Sequence, residues 1–103
     1  MGDLWDDISF VGEADNGIEA VNQCRTVRPD VVLMDIGMPK MDGVIATRII
    51  RERLPETRVI ALAGFLDADR ANDAFEAGAC CFMLKNVDIH ILQAAIRGTH
   101  SQR

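Results

Sequence analysis

Three short apolar runs lie along the chain without internal alternation, and each is closed by a small or charged residue. Val31-Val32-Leu33-Met34 ends at Asp35, Val59-Ile60-Ala61-Leu62 ends at Ala63-Gly64, and Cys80-Cys81-Phe82-Met83-Leu84 ends at Lys85. An unbroken apolar run suits a strand buried on both faces, which is the situation of a parallel sheet. Residues 8–14 alternate in part and read as an earlier strand, closed by Asp15-Asn16-Gly17.

Helical spacing fills the intervals. Asn16 and Glu19 stand at capping-box distance ahead of a helix whose inner face is Ala20, Val21, Cys24 and Val27, and Arg28-Pro29-Asp30 ends it. A second helix is predicted from about Asp42 to Arg53, with Ile45, Ile49 and Ile50 inward. Asp67 caps a third, with Ala71, Ala74 and Phe75 inward and Gly78 as its stop. Asp88 caps the last, with Ile89, Leu92 and Ile96 on one face and a frayed tail over residues 98–103.

The order β-α-β-α-β-α-β-α predicts an α/β fold: three layers, a parallel sheet with helices on both faces and right-handed crossovers. Nothing in residues 1–103 divides the chain, so a single domain is expected. Asp35, Ala63-Gly64 and Lys85 follow three parallel strands and therefore share one edge, the carboxyl edge where open α/β sheets keep their chemistry.

Composition narrows the classes. A hydrophobic fraction of 49% is enough for a core, and a formal charge of −5 speaks against a nucleic-acid surface. The longest apolar run, residues 59–66, is too short for a bilayer, and no secretory signal is visible. Cys24, Cys80 and Cys81 are odd in number and lack metal-site spacing, so buried reduced thiols in a cytoplasmic protein are expected.

No Ser or Cys nucleophile with a His partner and no P-loop is present; His90 and His100 lie away from the strand ends and read as surface residues. Met34, Met38, Met41 and Met83 read as packing. Asp35 facing Lys85 remains. Alone, that pair fits an edge salt bridge as well as a carboxylate nucleophile for phosphoryl transfer. The second use calls for a hard cation such as Mg2+ beside the carboxylate and a lysine as a point charge on the phosphoryl group.

The segment Val31 to Gly43, reading VVLMDIGMPKMDG, resembles the phosphoacceptor segment of response-regulator receiver domains. The segments VGEADNG at residues 11–17 and AGACCFMLK at residues 77–85 are similar to the branch joined to LuxR/NarL-type DNA-binding domains. The likeness runs from about Asp7 to Gly98 and implies a flavodoxin-like fold and a module of two-component phosphorelay signalling, not an enzyme. It implies that Asp35 accepts a phosphoryl group from a histidine kinase or phosphotransfer protein. It further implies that Asp35 and the Gly37 carbonyl help hold Mg2+, that Lys85 contacts the phosphoryl group, that Phe82 fills the switching aromatic position, and that Pro39 and Gly43 shape the loop.

Three departures qualify the implication. Ala63 stands where the family has the Thr or Ser hydroxyl of the switch. The family's first strand and helix, with their acidic pair, have no counterpart, because Asp6-Asp7 fit the loop entering the second strand. The five residues after Gly98 are too few for a DNA-binding domain, so the chain is expected either to work without one or to be a fragment of a longer regulator. A weak Mg2+ site is then expected, and so is a missing central strand, since the family's order is 2-1-3-4-5. Either residues 8–14 fill the vacancy in a four-stranded monomer, bringing Glu13 or Asp15 near Asp35, or a homodimer or edge-paired oligomer satisfies the edges; the second is favoured. The functional alternative is a phosphorylation-independent interaction or oligomerisation module. An aspartate-nucleophile hydrolase is disfavoured, because Gly37 stands where such enzymes carry a second carboxylate.

Overall fold

The computed structural model describes residue 12 and residues 14–36, 42–65 and 67–101. Their elements run α1 (Gly17–Val27), β1 (Val31–Asp35), α2 (Gly43–Arg53), β2 (Arg58–Ala63), α3 (Ala68–Ala77), β3 (Cys81–Leu84) and α4 (Ile89–Ser101).

Each helix begins at a side chain that satisfies backbone N–H groups left without intrahelical partners. The Asn16 amide oxygen accepts from the Glu19 N–H at 3.0 Å, and its amide nitrogen donates to the Glu19 carboxylate at 3.3 Å. Asp42 accepts from the N–H groups of Val44 and Ile45, Asp67 from those of Asp69 and Arg70, and Asp88 from that of His90. α3 stops at Gly78, whose φ of 114° is left-handed and cheap for glycine. α1 stops at Arg28, which holds a left-handed φ of 52° and donates its N–H to Cys24.

The three strands are parallel in the order β1-β2-β3. Val31 pairs with Arg58 and Asp35 with Leu62, while Ile60 pairs with Cys81 and Ala63 with Leu84. This register brings Asp35, Ala63 and Lys85 to one edge, as the strand ends in the sequence require.

The core has two parts. Ala20, Val21, Cys24, Met34, Ala46, Ile50, Leu54 and Val59 form one, with Ala14 packed against it. Ile36, Ala61, Ala63, Ala74 and Ala79 form the other, with Val44 and Phe82 against it. Ile60 points to the face opposite Val59 and Ala61 and is fully buried, and α4 packs on β1 and β2. Among the described residues, no helix is long and apolar enough to cross a membrane.

Several expected core positions are solvent-facing. Ile45 is 53% exposed, because the buried stripe of α2 is Gly43, Ala46, Thr47 and Ile50, one residue out of phase with an isoleucine stripe. Small residues win that face because the helix lies against the exit of β1. Phe75 is 48% exposed, since the cluster beneath α3 consists largely of alanines and leaves no room for a ring. Val27, the last residue of α1, and Ile89, the first of α4, are also exposed, while α4 buries Gln93 and Thr99. The helix continues to Ser101, so the tail expected to fray from Gly98 is helical through residue 101. β3 starts at Cys81, and Cys80 is exposed instead of buried, although its thiol reaches the Val59 carbonyl at 3.3 Å. The strand expected over residues 8–14 lies mostly outside the described residues; Gly12 and Ala14 belong to no strand.

Candidate functional site

β1 delivers Asp35 and the residue after β3 delivers Lys85, with β2 between them. The Lys85 ammonium lies 2.5 Å from the Asp35 carboxylate, and the two side chains are 49% and 33% exposed. At that exposure an ion pair adds only about 0–1 kcal/mol, so fold stability is a poor reason for the pair. The carboxylate remains within reach of a ligand entering from solvent.

Between the two charges lies the end of β2. The Ala63 carbonyl accepts the Lys85 N–H at 2.8 Å, which fixes the backbone from which the lysine projects. The Ala63 side chain is buried and offers a methyl group where the resemblance implies a hydroxyl donor. Phe82 is half-buried against the alanine-rich cluster beside Val44. Gly43 is pressed on the exit of β1: a Cβ there would meet the Asp35 carbonyl and come 2.5 Å from the Ile36 Cα. The Thr47 hydroxyl donates to the Gly43 carbonyl at 2.7 Å and locks the same turn. Gly37 and Pro39 lie outside the described residues, as does Glu13, while Asp15 is exposed in the loop before α1.

One residue of the mouth escaped the sequence reading. Arg70, in the first turn of α3, donates to the Ile36 carbonyl at 2.7 Å and lies 3.7 Å from the Asp42 carboxylate. Its position carried a signal. The helix dipole favours acids in the first turn, and a capping box would place Glu or Gln three residues after Asp67. The arginine found there hydrogen-bonds the Ile36 carbonyl and faces the Asp42 carboxylate.

Among the described residues, no three His, Cys, Asp or Glu side chains come close enough to share a metal ion. Asp42 spends one oxygen on the cap of α2 and turns the other toward Arg70, which leaves Asp35 as the described carboxylate between the strand ends. A cavity of about 630 Å³ lies elsewhere, at the C-terminal ends of α1 and α2, lined by Asn22, Arg25, Thr26, Arg28, Arg53 and Leu54. It is separate from the Asp35 chemistry.

Residues 5–97 match the response regulator receiver domain family. The chain is 40% identical over 91 residues to the transcriptional regulatory protein LiaR of Bacillus subtilis, covering 88% of this chain and 43% of LiaR. It is 37% identical over 93 residues to the response regulator protein VraR of Staphylococcus aureus, covering 90% of this chain and 44% of VraR. Among solved structures, a LuxR-family two-component response regulator from Aurantimonas sp. SI85-9A1 matches with a TM-score of 0.86 at 32% identity, over 97% of this chain and 74% of that one. The receiver domain of NarL from Mycobacterium tuberculosis also matches with a TM-score of 0.86 at 32% identity, over 92% of this chain and 77% of that one. The chain therefore belongs to the response-regulator receiver family of two-component systems, in its LuxR/NarL-type branch. It spans about two fifths of the length of the curated relatives it matches. Receiver domains of this family interact with histidine kinases and often dimerise.

Proposed function

We propose that Asp35 is the phosphoacceptor of this receiver domain, taking a phosphoryl group from a histidine kinase or a phosphotransfer protein in the cytoplasm. The observation that carries the reading is the Asp35–Lys85 pair, 2.5 Å apart across the end of β2 and open to solvent. In the transfer an Asp35 carboxylate oxygen attacks the donor phosphorus. The oxygen–phosphorus bond forms, the bond to the donor's leaving atom breaks, and the leaving group carries away the electron pair. Lys85 exchanges its carboxylate partner for the incoming phosphoryl oxygens, a charge-assisted contact. Mg2+, when bound, would offset the charge gathered between carboxylate and phosphoryl oxygens. Asp35, the Gly37 carbonyl and water would hold it weakly, so the reaction is expected to need a higher Mg2+ concentration than a site with an acidic pair. The domain acts as a signalling module, not as a turnover enzyme.

Incubation with acetyl phosphate and Mg2+, followed by intact mass, tests the reading. One phosphoryl adduct is expected on the wild-type chain and none on Asp35→Asn. Equal adduct on both would move the acceptor elsewhere, and none on either would remove the phosphoacceptor role. A second reading is an interaction module that works without phosphorylation, for which Ala63 carries a buried methyl and no hydroxyl. Absence of any adduct, with partner binding retained by Asp35→Asn, is the result that would select it.

A further inference from the structure

We propose that Arg70 is the anion ligand that reads phosphorylation of Asp35, in place of the hydroxyl that Ala63 lacks; the proposal rests on the phosphoacceptor reading. Arg70 joins the three elements around the mouth. Its backbone belongs to the first turn of α3, and its guanidinium donates at 2.7 Å to the carbonyl of Ile36, the residue after Asp35. The same guanidinium lies 3.7 Å from the carboxylate of Asp42, the cap of α2. It thus touches the chain on both sides of residues 37–41, at the residue that follows the aspartate to be modified.

Both contacts are exchangeable. The carbonyl is neutral, and the Asp42 pair is long, with side chains 35% and 40% exposed. A guanidinium has five N–H donors in a planar fork that matches phosphoryl oxygens bidentately, so its ability to bind is not used up by one carbonyl and one distant carboxylate. In the resting site Lys85 balances the single charge of Asp35. An acyl phosphate at Asp35 adds a further negative charge and three acceptor oxygens, which Lys85 alone does not balance. Arg70 is a second cation whose side chain reaches this edge, bound to the carbonyl of the residue after the acceptor.

A move of the guanidinium from Ile36 to the phosphoryl group would release the Asp42 contact and pull on the first turn of α3. The consequence is a relay through a helix. With a methyl at the end of β2, α3 would carry the signal, starting from a cation at a helix terminus where the dipole disfavours one.

The test compares the wild-type chain with Arg70→Gln and Arg70→Lys. Glutamine keeps an amide donor for the Ile36 carbonyl and removes the charge; lysine keeps the charge and removes the fork. With acetyl phosphate and Mg2+, adduct formation is followed by intact mass and amide hydrogen exchange by peptide across residues 67–77. On the wild-type chain the adduct should change the exchange of α3. On Arg70→Gln the adduct should form about tenfold more slowly, the loss expected for one charge-assisted phosphoryl contact, and α3 should not respond. Arg70→Lys should fall between. Adduct rate and α3 response equal to wild type in Arg70→Gln would overturn the proposal. If the wild-type chain takes no adduct, the phosphoacceptor reading fails by itself, and inorganic phosphate titrated against the same chains decides the role of Arg70. About tenfold weaker phosphate binding in Arg70→Gln would keep Arg70 as an anion ligand of this mouth, and unchanged binding would overturn it.

Discussion

A methyl group added at Gly43 would meet the Asp35 carbonyl and lie 2.5 Å from the Ile36 Cα. Two effects oppose each other in Gly43→Ala. Alanine in a helix gains about 1 kcal/mol over glycine. Overpacking against backbone that cannot turn away costs about 1–3 kcal/mol, and here both atoms struck belong to backbone. For that reason the clash should win, and urea denaturation should report a net loss of up to about 2 kcal/mol. Gly64→Ala is the control, because its added Cβ meets nothing within 4 Å. Burial raises the thiol pKa of Cys24; it also raises that of Cys81, with Cys80 adding to it and the Phe82 N–H opposing it. A folded pKa above the unfolded one keeps its contribution below the unfolded value, about 8.5, and loses it as pH rises from there through the folded value. Urea midpoints should therefore decline above about pH 8.5, and the decline should be shallower in Cys24→Ala. An equally steep decline would remove Cys24 as its source. Site legibility also divides residue by residue. Asp35 and Lys85 could be found because each directly follows an apolar run, a local signal. Arg70 could not be found that way, since it reaches the site only through the packing of α3 against α2 and β3.

Helix boundaries were readable for a similar reason. Asn16, Asp42, Asp67 and Asp88 cap from within three residues of the groups they satisfy, and Gly78 adopts the backbone turn that a side chain resists. Helix facing was not readable, because it is settled by the sheet beneath. α2 turns Gly43, Ala46 and Thr47 inward to come close to β1, and this puts Ile45 in water. The caps differ in what they support, and that difference can be measured. Asp67→Ala removes two hydrogen bonds at the start of α3 and should cost about 1 kcal/mol, the usual loss for a helix cap. Asp42→Ala removes two at α2 and also the carboxylate facing Arg70, so about 1–2 kcal/mol is expected. Thermal melts of both variants check the order. Equal losses would mean that the Asp42–Arg70 pair contributes nothing to the resting fold.

At the scale of the whole molecule, the parallel order and the shared carboxyl edge followed from apolar runs alternating with helical spacing, and the register of β1, β2 and β3 agrees with them. Assembly is a separate matter, since a local pattern says where a strand lies and not what lies beside it. Among the described residues β1 pairs on one side only, with β2. Leu33, on this strand, is 41% exposed, and Ile91 on α4 is 55% exposed. An exposed apolar residue on a strand favours association with another chain, at the gain of the apolar area removed from water. Size-exclusion chromatography with light scattering should therefore show a dimer whose fraction rises with concentration. Leu33→Lys should lower that fraction, because a charge on a strand edge opposes pairing. A wild-type chain that stays monomeric at every concentration would rule out self-association, and an unchanged dimer in Leu33→Lys would move the contact away from β1.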